Sequence, residues 1–257
     1  MGTSHLAPLI DTDILQYRCG FAADSQMLKE ARIAEPLADE ARLREMLAEV
    51  DYKGIALHNV REVIEGLKQL YVGPARLFIQ GAGNFRYDVA TLKEYKGNRD
   101  KTHKPKYAKD IFEYLVNVHG AEVVEGQESD DALGIAQCTA APGSTIICSN
   151  DKDMDMIPGY HYNWVKGEEY FVSDEDADKM FYWQMLVGDA TDNIKGIDKI
   201  GAKRASDLLR DRTPEQCRDI VREKYKAQYG DEWERYHREI GTLLWIRRKP
   251  NEDCPLL

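Results

Sequence analysis

Acidic residues follow three apolar segments that read as buried strands. They are Asp11 after "APLI", then Glu128, Asp130 and Asp131 after "AEVVEG", and Asp151 and Asp153 after "STIIC". In an open parallel sheet, ligands bind beyond the carboxyl ends of the strands, so we expect these carboxylates to meet at one edge. Like charges so close together repel one another unless they are protonated or neutralised. The pattern therefore predicts a site for Mg²⁺ or Mn²⁺, which prefer oxygen ligands.

A cluster of this size has room for two such ions about 4 Å apart, the arrangement that supports in-line attack on phosphodiesters. Taken one at a time, the acids have simpler explanations. Asp151 could cap a turn, and Ser129 or Asp130 could cap the helix that follows. The coincidence of three strand ends is what favours metal binding. Asp155, further along the same segment, is interpreted as a turn residue.

A further acidic pair, Asp189 and Asp192, comes directly before a turn framed by glycines. A spacing of three would place both carboxylates on one face of a helix. Gly196 and Gly201 frame a tight turn ahead of a predicted helix, and the free N–H groups of such a turn can bind phosphate without sequence preference. The basic residues beside it are Lys199, Lys203 and Arg204. Taken alone, the turn also fits an ordinary connection between helices.

One segment, "KEYKGNRDKTHKPKYAKD" at residues 93–110, is basic in a chain whose net charge is −10. Its seven basic residues are Lys93, Lys96, Arg99, Lys101, Lys104, Lys106 and Lys109, against three acidic ones. Interleaved Tyr95, His103 and Tyr107 are typical of an exposed segment that meets nucleic-acid phosphate. On composition alone a solvated loop is favoured, because charge runs usually are solvated.

Apolar periodicity predicts an α/β fold with a mainly parallel sheet covered on both faces, because strands and helices alternate along the chain. Strands are expected at "APLI", "ARLFI", "AEVVEG" and "STIICSND", and a hairpin in "YNWVKGEEYFV". Helices are expected at "PLADEARLREMLAEV", "LHNVREVIEGLKQL", "KYAKDIFEYLVNVHG", "SDDALGIAQCTA" and throughout the chain after the hairpin. We predict an α/β core over residues 1–183 and a helical region over 184–257.

Length and composition describe an ordinary globular protein of 257 residues, 43% hydrophobic and 31% charged. No apolar run approaches the roughly 20 residues of a membrane span, and no secretory signal is visible. The five cysteines form no CxxC pair, which argues against a disulfide framework or a zinc site. We therefore expect a reduced, cytosolic setting.

The segment "GDATDNIKGIDKIGAKRASDLL" resembles the part of the 5′-nuclease family in which an acidic metal-binding pair runs into a helix-hairpin-helix. That family includes flap endonucleases, the 5′-nuclease domain of bacterial DNA polymerase I and stand-alone phage 5′–3′ exonucleases. "LIDTD", "ESDD" and "SNDKDMDMI" resemble its other acidic clusters, and "FRYDVATLKEYKGNR" resembles the segment that enters its helical arch. The matching segments extend from Asp11 to about Leu209, in the family's order.

The resemblance implies a twisted, mainly parallel sheet between helices of the PIN/5′-nuclease type, a basic arch near 93–110 and a helix-hairpin-helix at 189–210. It also implies metal-dependent hydrolysis of DNA phosphodiesters near 5′ ends, flaps and single-strand/duplex junctions, in replication or repair. It implies two divalent ions, Mg²⁺ or Mn²⁺, and allows a monovalent cation at the helix-hairpin-helix. It suggests the cytoplasm of a bacterium or of a phage-infected host, and neither a membrane nor an obligate protein partner.

Matched position by position, the family's roles fall into three groups. One metal group would be Asp11, Glu128, Asp130 and Asp151, and the second would draw on Asp131, Asp153, Asp189 and Asp192. The catalytic basic pair that engages the scissile phosphate would be Lys96 and Arg99. The DNA-binding residues would be Lys93, Lys101, Lys104 and Lys106 in the arch, and Gly196, Lys199, Gly201, Lys203 and Arg204 in the helix-hairpin-helix.

One position departs from the family's pattern. The second strand usually ends in an aspartate, whereas here Gln80 or Gly81 stands near that place. A neutral amide adds no charge to a metal site, so two other functions stay open. One is a DNA-structure-binding protein with weakened catalysis, and the other is a metal-dependent ribonuclease of the PIN toxin type.

Overall fold

The computed structural model describes residues 5–34, 47, 50–99 and 104–257. In chain order its helices and strands are β1 Ala7–Asp11, α1 Asp13–Ala34, α2 Tyr52–Leu70, β2 Arg76–Gln80, α3 Arg86–Val89, α4 Ala108–Asn117, β3 Glu122–Val124, α5 Ser129–Thr139, β4 Thr145–Cys148, β5 Gly159–Asn163, β6 Glu168–Val172, α6 Asp174–Val187, β7 Gly188–Asp189, β8 Ile194–Lys195, α7 Ala202–Leu209, α8 Pro214–Tyr229 and α9 Trp233–Leu244. Two 3₁₀ helices, Lys152–Met156 and Gly230–Glu232, complete the set for these residues.

The chain divides into two compact units, Met1–Ile79 with Lys101–Val123 and Gln80–Asp100 with Val124–Leu257. The strands follow the order β3-β2-β1 in the first unit and β4-β5-β6 in the second. None of the described helices is long and apolar enough to span a membrane.

In the first unit, helices cover a parallel pair of strands. β1 runs parallel to β2, with Ile10 opposite Leu77, and Thr12 extends the pairing through its N–H bond to the Phe78 carbonyl. The helix α2 begins at an Asp51 cap and buries Ala56, Val60, Ile64 and Leu67. That spacing puts the four apolar side chains on one stripe of the helix, which accounts for its burial.

The second unit combines parallel and antiparallel pairing. β4 runs parallel to β5, and β5 forms an antiparallel hairpin with β6. Gly167 closes that hairpin with a φ of 72° and donates its N–H to the Asn163 carbonyl. Helix α6 packs on α8, where the Tyr225 hydroxyl donates to the Met185 carbonyl at 2.9 Å.

The predicted α/β class with a mainly parallel sheet is confirmed, as are the four strands and the hairpin. Two features differ from the sequence-based expectations. Helix α1 was not predicted, and its buried contacts come from a sparse set, Leu15, Cys19 and Ala23. Asp189 and Asp192 do not lie on a helix, because the chain turns back at β7 and β8. The helix expected at "PLADEARLREMLAEV" falls largely outside the described residues.

Candidate active site

Residues 94–99, the first part of the basic segment, are hydrogen-bonded to the loop between β7 and β8. The bonds that join them are Lys96 N–H to the Asp192 carbonyl at 2.9 Å, Asn98 Nδ2 to the Ala190 carbonyl at 2.7 Å, and Asn193 Nδ2 to the Glu94 carbonyl at 2.9 Å. Lys96 has a φ of 55°, a conformation that costs energy for a residue other than glycine. These bonds hold the segment in the strained conformation.

Lys96 and Arg99 pair with carboxylates from two different elements. Lys96 Nζ contacts Glu128 Oε1 and lies 3.6 Å from Asp192 Oδ2, while Arg99 Nη2 contacts Asp192 Oδ1. The hydroxyl oxygen of Tyr95 lies 2.7 Å from Asp192 Oδ2 and 3.0 Å from Glu128 Oε1. Burial alone would lower the pKa of Lys96, but the two carboxylates outweigh it and raise that pKa. The site therefore holds two protonated cations against two largely buried anions.

A buried ion pair between Arg86 and Asp131 lies next to this network. Arg86 Nη1 donates to Asp131 Oδ2 at 2.6 Å and Nη2 donates to Oδ1 at 2.9 Å, and both side chains are at most 1% exposed. The backbone N–H groups of Arg247 and Glu128 each add one bond to the Asp131 carboxylate, so each of its oxygens accepts two. A carboxylate has about four acceptor positions. These bonds favour a structural role for Asp131 over the predicted role as a metal ligand.

A second acidic group follows β4, and the ion pairs of the described residues include neither Asp151 nor Asp153. Asp151 caps the 3₁₀ helix Lys152–Met156 by accepting the Asp153 N–H at 2.9 Å, and Gln184 Nε2 donates to Asp153 Oδ1 at 2.6 Å. Burial, and then the negative charges of Asp151 and Asp189, raise the pKa of Asp153 to about 7. Negative charge is thus concentrated where a cation would relieve it.

The hydrogen bonds of Gln80 give a structural reason for an amide at this position. Its Oε1 accepts the N–H of Ser129 at 2.9 Å, and its Nε2 donates to the carbonyls of Gln127 at 3.1 Å and Gly81 at 3.3 Å. An aspartate could accept the first bond but could not donate the other two. The amide therefore fixes the turn that carries Glu128.

The donor set fits a hard divalent cation, because every candidate ligand supplies carboxylate oxygen. The positive charge of Lys152 only partly offsets the effects that raise the pKa of Asp153. Within the described residues, no group of three or more His, Cys, Asp or Glu side chains is gathered closely enough to hold an ion by itself. Lys96 and Arg99 occupy the Glu128 and Asp192 carboxylates instead. Asp130 is half-buried at the start of α5, and Asp11 lies at the end of β1 in the first unit.

The glycine-framed turn precedes α7 as expected. Lys199 has a φ of 64°, and Gly201 is the N-cap of α7. A Cβ on Gly196 would lie 2.3 Å from the carbonyl carbon of Val187, so this glycine is required by close backbone approach. The exposed basic side chains around the turn are Lys199, Lys203 and Arg204.

The other predicted DNA contacts are distributed between the two units. Lys93 is exposed in the second unit, and Lys104 and Lys106 are exposed in the first. Lys106 Nζ lies 5.1 Å from the centre of the Tyr107 ring. Lys101 lies outside the described residues.

Arg86 and Gln184 were not singled out from the sequence, and Tyr95 was expected in an exposed segment, whereas it is buried. Arg86 and Tyr95 lie inside "FRYDVATLKEYKGNR", so the segment that carried the family resemblance contained them. Gln184 gave no signal, because it stands among the buried positions of an ordinary helix.

Curated relatives of the chain are nucleases and DNA polymerases, although no protein-family model matches it. The flap endonuclease of Escherichia phage T5 is 25% identical over 173 residues, which cover 58% of this chain and 60% of that protein. The 5′–3′ exonuclease of Mycoplasmopsis pulmonis is 27% identical over 220 residues, covering 76% and 70%. DNA polymerase I of Rhizobium leguminosarum is 33% identical over 96 residues, only 9% of its length.

Solved structures of the phage T5 enzyme share the fold. The 5′-exonuclease with bound zinc aligns with a TM-score of 0.56 at 19% identity, over 93% of this chain and 86% of the other. The D15 flap endonuclease in a pseudo-enzyme–product complex with DNA and metal ions aligns with a TM-score of 0.54 at 17% identity, over 92% and 99%. Because the identity is low, these structures bear on the fold alone. The sequence relatives and the shared fold support the resemblance to 5′-nucleases.

Proposed function

We propose that the protein is a divalent-metal-dependent phosphodiesterase that acts as a 5′–3′ exonuclease and flap endonuclease on DNA. The observation that carries the proposal is the pairing of Lys96 and Arg99 with the carboxylates of Glu128 and Asp192. Phosphoryl transfer needs cations beside the scissile phosphate and carboxylates to hold metal ions. The names of the curated relatives support this reaction class.

The proposed metal ligands are seven carboxylates, those of Asp11, Glu128, Asp130, Asp151, Asp153, Asp189 and Asp192. In such sites, Mg²⁺ or Mn²⁺ supplies Lewis-acid stabilisation and lowers the pKa of a bound water. The chain's own part is to hold these oxygens in place. Gln184 orients Asp153, and the Arg86–Asp131 pair fixes the turn at Glu128.

Lys96 and Arg99 stabilise the charge that develops on the phosphate. Their ion pairs with Glu128 and Asp192 keep both cations at the site, where preorganised charge can act on the phosphate. The Tyr95 hydroxyl, which contacts the same two carboxylates, restricts their movement. These contacts pre-organise the site for an anionic substrate.

We assign DNA binding to groups outside this centre. The proposed arch contacts are Lys93, Lys101, Lys104 and Lys106, and the proposed duplex contacts are Gly196, Lys199, Gly201, Lys203 and Arg204. A monovalent cation at the turn before α7 would add to the second set. Because phosphate contacts release counterions, binding should weaken steeply with salt.

The test is a cleavage assay with a substrate panel, each member with Mg²⁺, Mn²⁺ or EDTA. The panel contains a 5′-labelled flap duplex, a matched blunt duplex and a structured RNA of the same length. We expect metal-dependent cutting of the DNA substrates, with product lengths that separate mononucleotide release from junction cleavage. Binding of the flap without cutting in either metal would contradict the proposal, and so would preferential cutting of RNA.

A further inference from the structure

Glu239, on helix α9, binds the start of the segment that leads to Lys96. Its Oε1 accepts the backbone N–H groups of Thr91 at 2.7 Å and Leu92 at 2.6 Å, and its Oε2 accepts the Thr91 hydroxyl at 2.5 Å. The residue is 7% exposed. One carboxylate therefore holds two consecutive peptide groups and a side chain that are about 150 positions away in the sequence.

Glu239 takes part in none of the ion pairs recorded for the described residues. A buried carboxylate is costly unless hydrogen bonds compensate its charge, so these three bonds are what makes the position tolerable. Arg235, one helical turn earlier, adds a bond of 3.1 Å from Nη2 to the Thr91 hydroxyl oxygen. The contact thus behaves as a specific clamp on Thr91 and Leu92.

The clamp acts on the same short segment as the bonds around Lys96. Residues 91–99 are held at one end by Glu239 and at the other by the β7–β8 loop, through the Lys96 N–H and the Asn98 amide. Between these points lie Tyr95 and Lys96, which meet Glu128. Releasing the first end would let the whole segment shift.

We propose that Glu239 is a positioning residue that fixes Lys96 and Arg99 over the acidic site through Thr91 and Leu92. It touches neither the carboxylates of the site nor, in the proposed reaction, the DNA. The proposal rests on the proposed nuclease function for its effect on catalysis, but its effect on the segment is independent of that function.

Limited trypsin digestion of the folded full-length chain tests the clamp without requiring activity. Trypsin cleaves after Lys93, Lys96 and Arg99. We expect Glu239→Ala to raise the cleavage rate within residues 91–99 by about tenfold, because local opening becomes easier. The matched control Glu234→Ala, an exposed residue of the same helix, leaves that rate unchanged. Equal rates for the wild type and Glu239→Ala would overturn the proposal.

Single-turnover cleavage of the flap duplex tests the consequence for the reaction. Misplacement by about 1 Å can cost roughly 100-fold in rate, and we expect that loss for Glu239→Ala with DNA affinity unchanged within about twofold. Glu239→Gln should recover to within about tenfold of the wild type, since its amide can accept both N–H bonds and donate to the Thr91 hydroxyl oxygen. Equal losses in the two variants would overturn the assignment.

A double-variant cycle separates positioning from general destabilisation. In a Lys96→Ala, Arg99→Ala background, Glu239→Ala should slow single-turnover cleavage by less than about a further threefold, because the groups that Glu239 positions are gone. A full additional loss would contradict the proposal.

If Glu239→Ala does not fold, Thr91→Val replaces it in the trypsin and cleavage tests, with an expected change of about threefold in each. No change in either would overturn the clamp. A wild-type chain that cuts no DNA would refute the proposed function, and the trypsin result would still decide the clamp.

Discussion

Two acidic groups of the second unit differ in how their charge is compensated. One, here called the balanced group, consists of Glu128, Asp131 and Asp192. Its members form ion pairs with guanidinium or ammonium groups of the chain itself, which balance their charge. Asp151, Asp153 and Asp189 form an unbalanced group, in which burial, and then the negative charges of Asp151 and Asp189, raise the pKa of Asp153 to about 7. We infer that the first group organises the site's basic residues, and we propose that the second is where a cation from solution is most needed.

The largest loss of stability is expected when the buried ion pair between Arg86 and Asp131 is removed. Arg86→Leu leaves Asp131 buried without its partner and also removes the bonds from Arg86 to the Leu243 and Trp245 carbonyls. We expect a loss of about 3–5 kcal/mol in the free energy of unfolding, measured by urea denaturation. The control Arg76→Leu breaks an ion pair with Glu122 that is about half exposed and should cost less than about 1 kcal/mol. Similar losses in both variants would remove the special role of the buried pair.

Lys96→Ala sharpens the comparison by removing a cation from the balanced group. We expect single-turnover cleavage of a flap duplex to slow by about 10²–10³-fold, because charge on the phosphate loses a preorganised partner. Gel-shift affinity for the duplex should change far less. Equal losses in rate and affinity would reduce Lys96 to an ordinary phosphate contact.

Asp153→Asn tests the unbalanced group through pH. The pKa of Asp153 is raised from 3.8 to about 7 in the folded state, so the folded protein takes up a proton more readily than the unfolded chain. Its favourable contribution is complete at low pH and is lost as pH rises through about 7. In EDTA at pH 8, Asp153→Asn should therefore unfold at a higher temperature than the wild type, by roughly 1–2 kcal/mol in stability. A wild type that is the more stable of the two at pH 8 would contradict this account.

Periodicity and strand-end chemistry predicted much of this fold and of its acidic residues. The helix α1 escaped because its buried positions include the small residues Cys19 and Ala23 instead of a regular apolar stripe. The place of Asp189 and Asp192 was misjudged because left-handed backbone at Gly188 and Asn193, with φ of 74° and 60°, turns the chain into a short hairpin. A spacing rule for helices contains no such information.

Long-range pairing was beyond sequence reasoning for a different reason. Arg86 and Asp131 are 45 residues apart, and Thr91 and Glu239 are 148 apart. Either acid could equally have been a metal ligand, a cap or a solvated side chain. Only the folded chain reveals that Arg86 and two backbone N–H groups occupy the acceptor positions of the Asp131 carboxylate.

The most direct test of the difference between the two groups is single-turnover cleavage of a 5′-labelled flap duplex in Mg²⁺ by the wild type and by Asp151→Ala. The account predicts metal-dependent cutting by the wild type, none in EDTA, and none by Asp151→Ala, whose circular dichroism spectrum matches that of the wild type. Cutting by Asp151→Ala at the wild-type rate would contradict the assignment of the unbalanced group to the metal site.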